Sequence, residues 1–388
     1  MKCAIVYHYL ASYRQPIFME LMKSTNIEFT LYSGKNSEIN IHKINIELAN
    51  KKISDGGLRW EFLKNTWIFN KKFLWQSGLV NLSVFGKYDS YIFLGSPYHL
   101  STWFAVIIVR LRGKKAYYWM HGVYKDKPRV HDFLKLKLFY KLPNGFFLYG
   151  NRSLSILRKY NVKPYNNMHV IYNSLNYVVS AERRSLVSEI SIFNFRVKYF
   201  KTALEPVVVF IGRVNSIKRI DMLIDAQSAL ENSIDKVKFN ILIIGDGEER
   251  TKLERQITKL GLQDHVYFFG EVYDEKIISE ILMYSDVCVN PGEVGLTAIH
   301  ALSYGTPVIS HDNLNIQMPE VEAIIPGLTG DLYGYGNVQN LAESINKWLL
   351  LNPIKTHEVM KACFSVIDNY YNPNYQRKII EKVLNNKF

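Results

Sequence analysis

Several features that mark whole protein classes are missing from this chain. No apolar run reaches the roughly 18 residues that a membrane-spanning helix needs; the longest such stretch, Trp103 to Leu111, is short and contains Arg110. The first residues carry one lysine and then a Cys3–Tyr7 run that reads as a strand, so no secretory signal is expected. Only three cysteines occur, Cys3, Cys288 and Cys363, far apart and without metal-type spacing. They are expected to be reduced, buried thiols in a cytosolic protein. Walker A, His-Glu-x-x-His, Cys-x-x-Cys and Gly-x-Ser-x-Gly patterns are absent, which sets aside the chemistries those motifs carry. There is also no Asp-x-Asp pair, the usual carboxylate clamp for a metal-bound diphosphate. No repeat of 20–50 residues is found.

What is present is ordinary globular composition. Of 388 residues, 48% are hydrophobic and 21% charged, which excludes disordered, collagenous and low-complexity chains and suits two domains. The net charge of +13 is unevenly spread: residues 1–200 carry +19 and residues 201–388 carry −6. A basic, aromatic-rich half suits an anionic membrane surface, a phosphorylated acceptor or nucleic acid, and a merely soluble basic surface is the plain alternative. No nucleic-acid-binding module accompanies the charge.

Strand and helix patterns alternate along the chain, the signature of α/β architecture with parallel sheets. In the first half, strands are expected at Cys3–Tyr7, Ile27–Tyr32, Ser90–Leu94, Ala116–Met120, Phe146–Tyr149 and His169–Tyr172, with helices at Pro16–Lys23 and near Leu100–Arg112. Residues 178–205 lose the pattern and read as an inter-domain linker. In the second half, Val207–Ile211 is a continuous apolar run, as in a strand buried on both faces. Strands Phe239–Ile244, Val266–Phe269, Val287–Val289 and Pro307–Ser310 follow, interleaved with helices Arg219–Leu230, Glu248–Leu260, Glu275–Tyr284 and Gly295–Tyr304. Gly261 marks a helix C-terminus. Helices near Val338–Leu350 and Tyr375–Asn385 close the chain.

Ligands of open α/β sheets sit beyond the carboxyl ends of the strands, and the chemistry-bearing segments fall there. Gly212-Arg213-Val214-Asn215-Ser216-Ile217-Lys218 follows Val207–Ile211 and sets two cations five residues apart, suited to neutralising a diphosphate; a solvated basic turn is the alternative. Pro291-Gly292-Glu293-Val294-Gly295-Leu296-Thr297-Ala298-Ile299-His300 takes a glycine-containing loop into a helix, where free backbone N–H groups favour a phosphate. Within it, His300 also fits a satisfied core histidine. Trp119-Met120-His121-Gly122 places a histidine at a strand end, and Gly245-Asp246-Gly247-Glu248 is a tight strand-to-helix turn that does not match Gly-x-Gly-x-x-Gly. Tyr13 and Arg14 are expected to project from the loop after the first strand.

Together these segments resemble the retaining glycosyltransferases of family 4, most closely over residues 207–330. The matching residues are Arg213 and Lys218 in the Gly-Arg…Lys segment, the Gly245–Gly247 turn, the Val266–Gly270 strand, and Glu293 through Val308, with His121 and the Asn173-Ser174 turn in the first half. Two departures stand out. The Glu293-to-Gly295 spacing is one residue short, and His300 occupies the second glutamate position, which in the family generally holds ribose hydroxyls. The Gln317–Glu322 stretch is a candidate source of a substitute carboxylate, or else an acidic surface loop.

The resemblance implies a GT-B fold, two Rossmann-like doubly wound domains facing across a cleft. Residues 1–177 would bind the acceptor and residues 206–372 the nucleotide sugar, with 178–205 as linker and a helix at about 373–388 packing back on the first domain. It implies His121, Glu293, Arg213 and Lys218 as the catalytic set. Donor contacts would come from Gly212, Arg213, Lys218, Gly245, Gly247, Phe269, Gly270, Gly295, Leu296, Thr297 and His300. Tyr13 and Arg14 would lie on the acceptor side. No metal and no cofactor beyond the nucleotide-sugar donor is expected. The implied activity is sugar transfer with retention, to a glycan or polyprenyl-diphosphate-linked acceptor in capsule, O-antigen or similar polysaccharide synthesis. The protein is expected in the cytoplasm, at the inner face of an anionic membrane, with Trp60, Trp67, Phe69 and Trp75 as candidate inserting residues. Two other readings stay open: a non-hydrolysing nucleotide-sugar epimerase, and a non-catalytic membrane-associated binding protein.

Overall fold

The computed structural model describes residues 1–36, 42–123, 130–163, 165–184, 189–200, 204–231, 237–353 and 355–385. The chain divides into one unit of Met1–Asn176 with Tyr370–Phe388 and a second of Tyr177–Asn369. In the first, strands β1 (Lys2–Val6), β2 (Glu28–Ser33) and β3 (Trp60–Phe62) precede an antiparallel hairpin of β4 (Lys64–Ile68) and β5 (Phe73–Ser77). Then come β6 (Ser90–Leu94), β7 (Lys115–Met120), β8 (Gly145–Leu148) and β9 (Met168–Val170). The main sheet is parallel, in the order β3-β2-β1-β6-β7-β8-β9.

The second unit is built on β10 (Val207–Ile211), β11 (Asn240–Ile244), β12 (Val266–Gly270), β13 (Val287–Val289), β14 (Val308–His311) and β15 (Gly330–Tyr333). They form a parallel sheet in the order β12-β11-β10-β13-β14-β15. Its strand order reverses between β10 and β13, which opens a crevice at their carboxyl ends. The first sheet reverses in the same way between β1 and β6.

Burial explains why these segments form strands. Val208, Phe210, Ile241 and Ile243 are fully buried and pack with Leu223, Ile345 and Trp348 of the covering helices. Both faces being covered, β10 is apolar throughout and β11 is so from Ile241 to Ile244. In the first unit, Phe29, Trp119 and Phe147 pack with Phe18, and Ile380, Val383 and Leu384 of the last helix, Pro373–Leu384, join that same core. All three cysteines are buried and free, and burial pushes their thiols up to about 12.

The structure adds elements without a clear sequence pattern. Within 178–205, helices Tyr177–Arg183 and Glu189–Tyr199 form and are counted with the second unit; residues 185–188 and 201–203 lie outside the described residues. Trp60, expected as a candidate for membrane insertion, is instead a core residue, 6% exposed, whose indole donates to Ser33 Oγ at 2.9 Å. The helix expected at Gly295–Tyr304 is shorter, Thr297–Ser303, because Gly295 adopts φ +53° and ends the preceding loop.

Backbone contacts join the loops at the carboxyl edge of the second sheet. The Gly292 N–H donates to the Lys218 carbonyl at 3.0 Å. A Cβ on Gly292 would overlap the Ile217 carbonyl oxygen, one on Gly245 the Gly212 carbonyl, and one on Gly247 the Val214 carbonyl. Loop 212–218 is therefore pressed from both sides by backbone that has no side chain. Gly292→Ala is expected to lower unfolding stability by about 1–3 kcal/mol, the cost of overpacking a filled interior, read by chemical denaturation. Unchanged stability would mean that the loops do not rely on this contact.

Candidate active site

The loop after β13 is held by side chains at nearly every carbonyl. Ser310 Oγ donates to Asn290 O at 2.9 Å, Tyr333 OH to Pro291 O at 2.6 Å, and Lys218 Nζ to Glu293 O. Buried Gln317 accepts from the Val294 N–H at 3.0 Å and donates to Ser310 Oγ at 2.8 Å. Thr297 Oγ1 reaches back to Ile211 O at the end of β10, 3.2 Å away. The first hydrogen bonds of the helical turn are Ala298 N to Gly295 O, 3.1 Å, and His300 N to Leu296 O, 3.0 Å. The amides of Gly295, Leu296 and Thr297 precede them and are open to an acceptor.

Lys218 and Glu293 stand beside this turn, and Arg213 lies in the same 212–218 loop as Lys218. Arg213 is exposed and makes no hydrogen bond or ion pair with the described residues, and its charge acts on Tyr273 in the loop after β12. Lys218 is half-buried; burial lowers its pKa, while Glu293 and Glu320 oppose that shift. Glu293 is half-buried, and its carboxylate has no hydrogen-bond partner among the described residues. Open amides and cations of this kind are the groups that can hold an anion. Gly212, Gly245 and Gly247 act here through the close backbone approach described above. At the end of β12, Gly245 N–H donates to Gly270 O at 2.8 Å, and the half-buried Phe269 ring lies 5.5 Å from Tyr199.

His300 is neither a core histidine nor a free one. Its Nε2 lies 2.9 Å from Glu275 Oε1, the same oxygen that accepts from Tyr304 OH at 2.5 Å. A carboxylate only accepts, so the histidine proton sits on Nε2. Burial alone would raise the Glu275 carboxyl, but the hydrogen bonds from His300 and Tyr304 and the charges of His300 and Arg183 outweigh it and hold it below its ordinary value. Sequence reasoning missed Glu275, since no fixed spacing links it to His300. The 317–322 stretch is not a surface loop: Pro319–Ala323 is a short 3₁₀ helix, and Gln317 and Glu320 are buried.

In the first unit, the sheet's carboxyl edge gathers a different set. His121 follows β7, its ring 4.6 Å from Tyr149; burial, then the Arg14 charge, lowers its pKa to about 4, so it is neutral at neutral pH. Gly122, at φ +80°, turns the chain so that the Val123 N–H meets Ser153 Oγ at 3.1 Å. Residues 124–129 lie outside the described residues. Arg14, expected to project, is buried instead. Its guanidinium lies 5.1–5.7 Å from the ring centres of Tyr7, Tyr13, Trp119 and Tyr149 and donates to Tyr7 OH at 3.2 Å. Tyr13 is one wall of that cage, half-buried. Burial is also the main cause that lowers His8 to about 3 and His99 to about 4, two residues that carried no sequence signal.

Among the described residues, no three His, Cys, Asp or Glu side chains are grouped so as to hold a metal ion. No helix among them is long and apolar enough to cross a membrane.

Known proteins match this architecture. Residues 191–362 match the family profile Glycosyl transferases group 1. The N-acetyl-alpha-D-glucosaminyl L-malate synthase of Bacillus anthracis is 25% identical over 185 residues, 47% of this chain and 44% of that protein. The lipopolysaccharide 1,6-galactosyltransferase of Salmonella typhimurium is 25% identical over 188 residues, 46% of this chain and 49% of that protein. The aligned segments thus span about half of those relatives or less. Across the whole of both chains, the fold is that of Anabaena Alr3699/HepE, solved in complex with UDP, with a TM-score of 0.72 at 16% identity. Residues 191–362 thus match the glycosyl transferases group 1 profile, and the chain has the two Rossmann-like units of the GT-B fold class.

Proposed function

We propose that this protein is a retaining, metal-independent glycosyltransferase that moves a sugar from a nucleotide-sugar donor to a glycan or polyprenyl-diphosphate-linked acceptor in cell-surface polysaccharide synthesis. What supports this reading is the placement of the Arg213–Lys218 loop after β10 beside the loop carrying the 295–297 amides after β13, joined by Lys218 Nζ to Glu293 O, at the strand-order switch of the second sheet. Cations and N–H dipoles placed around a departing diphosphate stabilise the charge that develops on it. Protein cations then do what a metal does elsewhere. Glu293, with its carboxylate free, orients hydroxyls of the transferred sugar. Attack is front-face: the acceptor oxygen bonds to the anomeric carbon on the side from which the diphosphate leaves, and the acceptor proton passes to the departing phosphate oxygen. In this reading the first unit takes the acceptor, with neutral His121 as a hydrogen-bonding group and Tyr13 and Arg14 beside it. The polysaccharide assignment draws support from the lipopolysaccharide galactosyltransferase among the relatives.

The basic first unit also supports a peripheral place on an anionic membrane. Its helix Leu100–Leu111 exposes Phe104, Ile107 and Leu111 along one stripe, with Arg110 among them. Aromatic contacts extend this surface onto β5: Trp75 lies 5.8 Å from Phe104, and Phe73 bridges exposed Phe69 and Tyr98 at 6.0 and 6.1 Å. Lys71, Lys72 and Lys87 are exposed on the neighbouring segments. An apolar stripe with cations at its margin suits the interface of an anionic bilayer.

Two experiments test these statements. Arg213→Ala leaves the fold intact, since Arg213 is exposed and unpaired among the described residues, and is expected to cut sugar transfer about a hundredfold; Lys218→Ala should cut it at least as far, because it also removes the bond to Glu293 O. Normal transfer by a folded Arg213→Ala protein, or epimer interconversion in place of transfer, would overturn the assignment. The full chain is expected to co-sediment with anionic vesicles, to release at high salt and to ignore neutral vesicles. Phe104→Ser with Leu111→Ser should weaken that binding, and no binding at low salt would remove the membrane role.

A further inference from the structure

We propose that Glu275 is the residue that accepts a ribose hydroxyl of the bound nucleotide through Oε2, with His300 and Tyr304 as positioning residues that fix its other oxygen. This rests on the nucleotide site proposed above. A carboxylate offers about four acceptor positions. Oε1 of Glu275 already serves two donors, His300 and Tyr304, while Oε2 has no hydrogen bond with the described residues. The side chain is 39% exposed, so Oε2 is open to a ligand.

Placement identifies the ligand's chemistry. Glu275 opens the helix Glu275–Tyr284 directly after β12 and its connecting loop, at the carboxyl edge of the sheet. Its bond to His300, whose own backbone N–H donates to Leu296 O, ties Glu275 to the turn that carries the open amides. His300 sits about one helical turn, ~5 Å, beyond the open amides of 295–297. That is the order of the separation between the phosphates of a nucleotide and its ribose hydroxyls. A second phosphate would be repelled by Glu275, whereas a hydroxyl donates to it.

His300 thus explains the departure in its own motif. Where a glutamate on the Thr297–Ser303 helix would present its own carboxylate, this chain places an imidazole, and the imidazole holds a carboxylate supplied by the next helix. Tyr304, 1% exposed, donates from below and keeps the carboxylate from swinging away.

The test is calorimetric titration of the full chain with UDP, GDP and their 2′,3′-dideoxy counterparts. Wild type is expected to bind the ribonucleotide about tenfold or more tightly than its dideoxy form, the value of a hydrogen bond to a charged group. Glu275→Gln should lose about that factor for the ribonucleotide while its dideoxy affinity stays unchanged. Tyr304→Phe, which keeps the carboxylate but loosens it, should lose a smaller factor with the same pattern. Equal loss for ribo and dideoxy forms, in either variant, would mean that the cluster merely joins two helices, and overturns the proposal. Full discrimination retained in Glu275→Gln overturns it as well. In both cases the nucleotide site itself stands. Failure of wild type to bind either UDP or GDP is a different result, which removes the nucleotide site and this proposal with it.

Discussion

Close backbone approach at the edge of the second sheet is the constraint on which the site depends. Loop 212–218 lies between the Gly245–Gly247 turn and Gly292, and at each contact a side chain would overlap a carbonyl oxygen. The approach brings Lys218 close enough for its ammonium to bind the Glu293 carbonyl, and the Gly292 N–H close enough to bind the Lys218 carbonyl. Without those bonds the cation loop and the amide-bearing loop would be independent surface turns. The parallel order of the sheet makes the arrangement available, because β10 and β13 are neighbours at the point where strand order reverses. Ser310, Gln317 and Tyr333 then hold the carbonyls of residues 290–292 and the Val294 amide from β14, β15 and the loop between them.

The electrostatics of the two units differ in kind. In the second, Lys218 stands beside the amide-bearing turn, Glu293 has no hydrogen bond on its carboxylate among the described residues, and Glu275 is held in place. In the first, one guanidinium is enclosed by the rings of Tyr7, Tyr13, Trp119 and Tyr149, and the histidines around it are kept neutral by burial and, for His8 and His121, also by its charge. A caged cation of this kind keeps its charge at any ordinary pH. It therefore acts as a fixed source of positive potential at the carboxyl edge of its own sheet.

The α/β class and the strands β10, β11, β13 and β14 were legible in the sequence because buried strands show as apolar runs, complete in Val207–Ile211 and Val287–Val289 and partial in β11 and β14, and Gly261 announced a helix end. Arg213, Lys218 and Glu293 were legible because each falls just after such a strand. Other features were not. The β4–β5 hairpin has no uniform alternation, since Trp67, Phe73 and Trp75 face half-covered surface and read as stray aromatics. The three-residue β3 is too short to show a period. The burial of Arg14 depends on Trp119 and Tyr149, which reach it only through the pairing of β7 with β8. Glu275 and His300 lie 25 residues apart on separate helices, so their pairing is a product of tertiary packing with no local signature.

The most direct test of the central claim is a crystal structure of the full chain grown with UDP or GDP. The diphosphate is expected between Arg213 and Lys218, with its oxygens accepting from the amides of Gly295, Leu296 and Thr297. A nucleotide bound with its diphosphate away from both cations and from those amides would contradict the assignment of this edge of the sheet as the donor site.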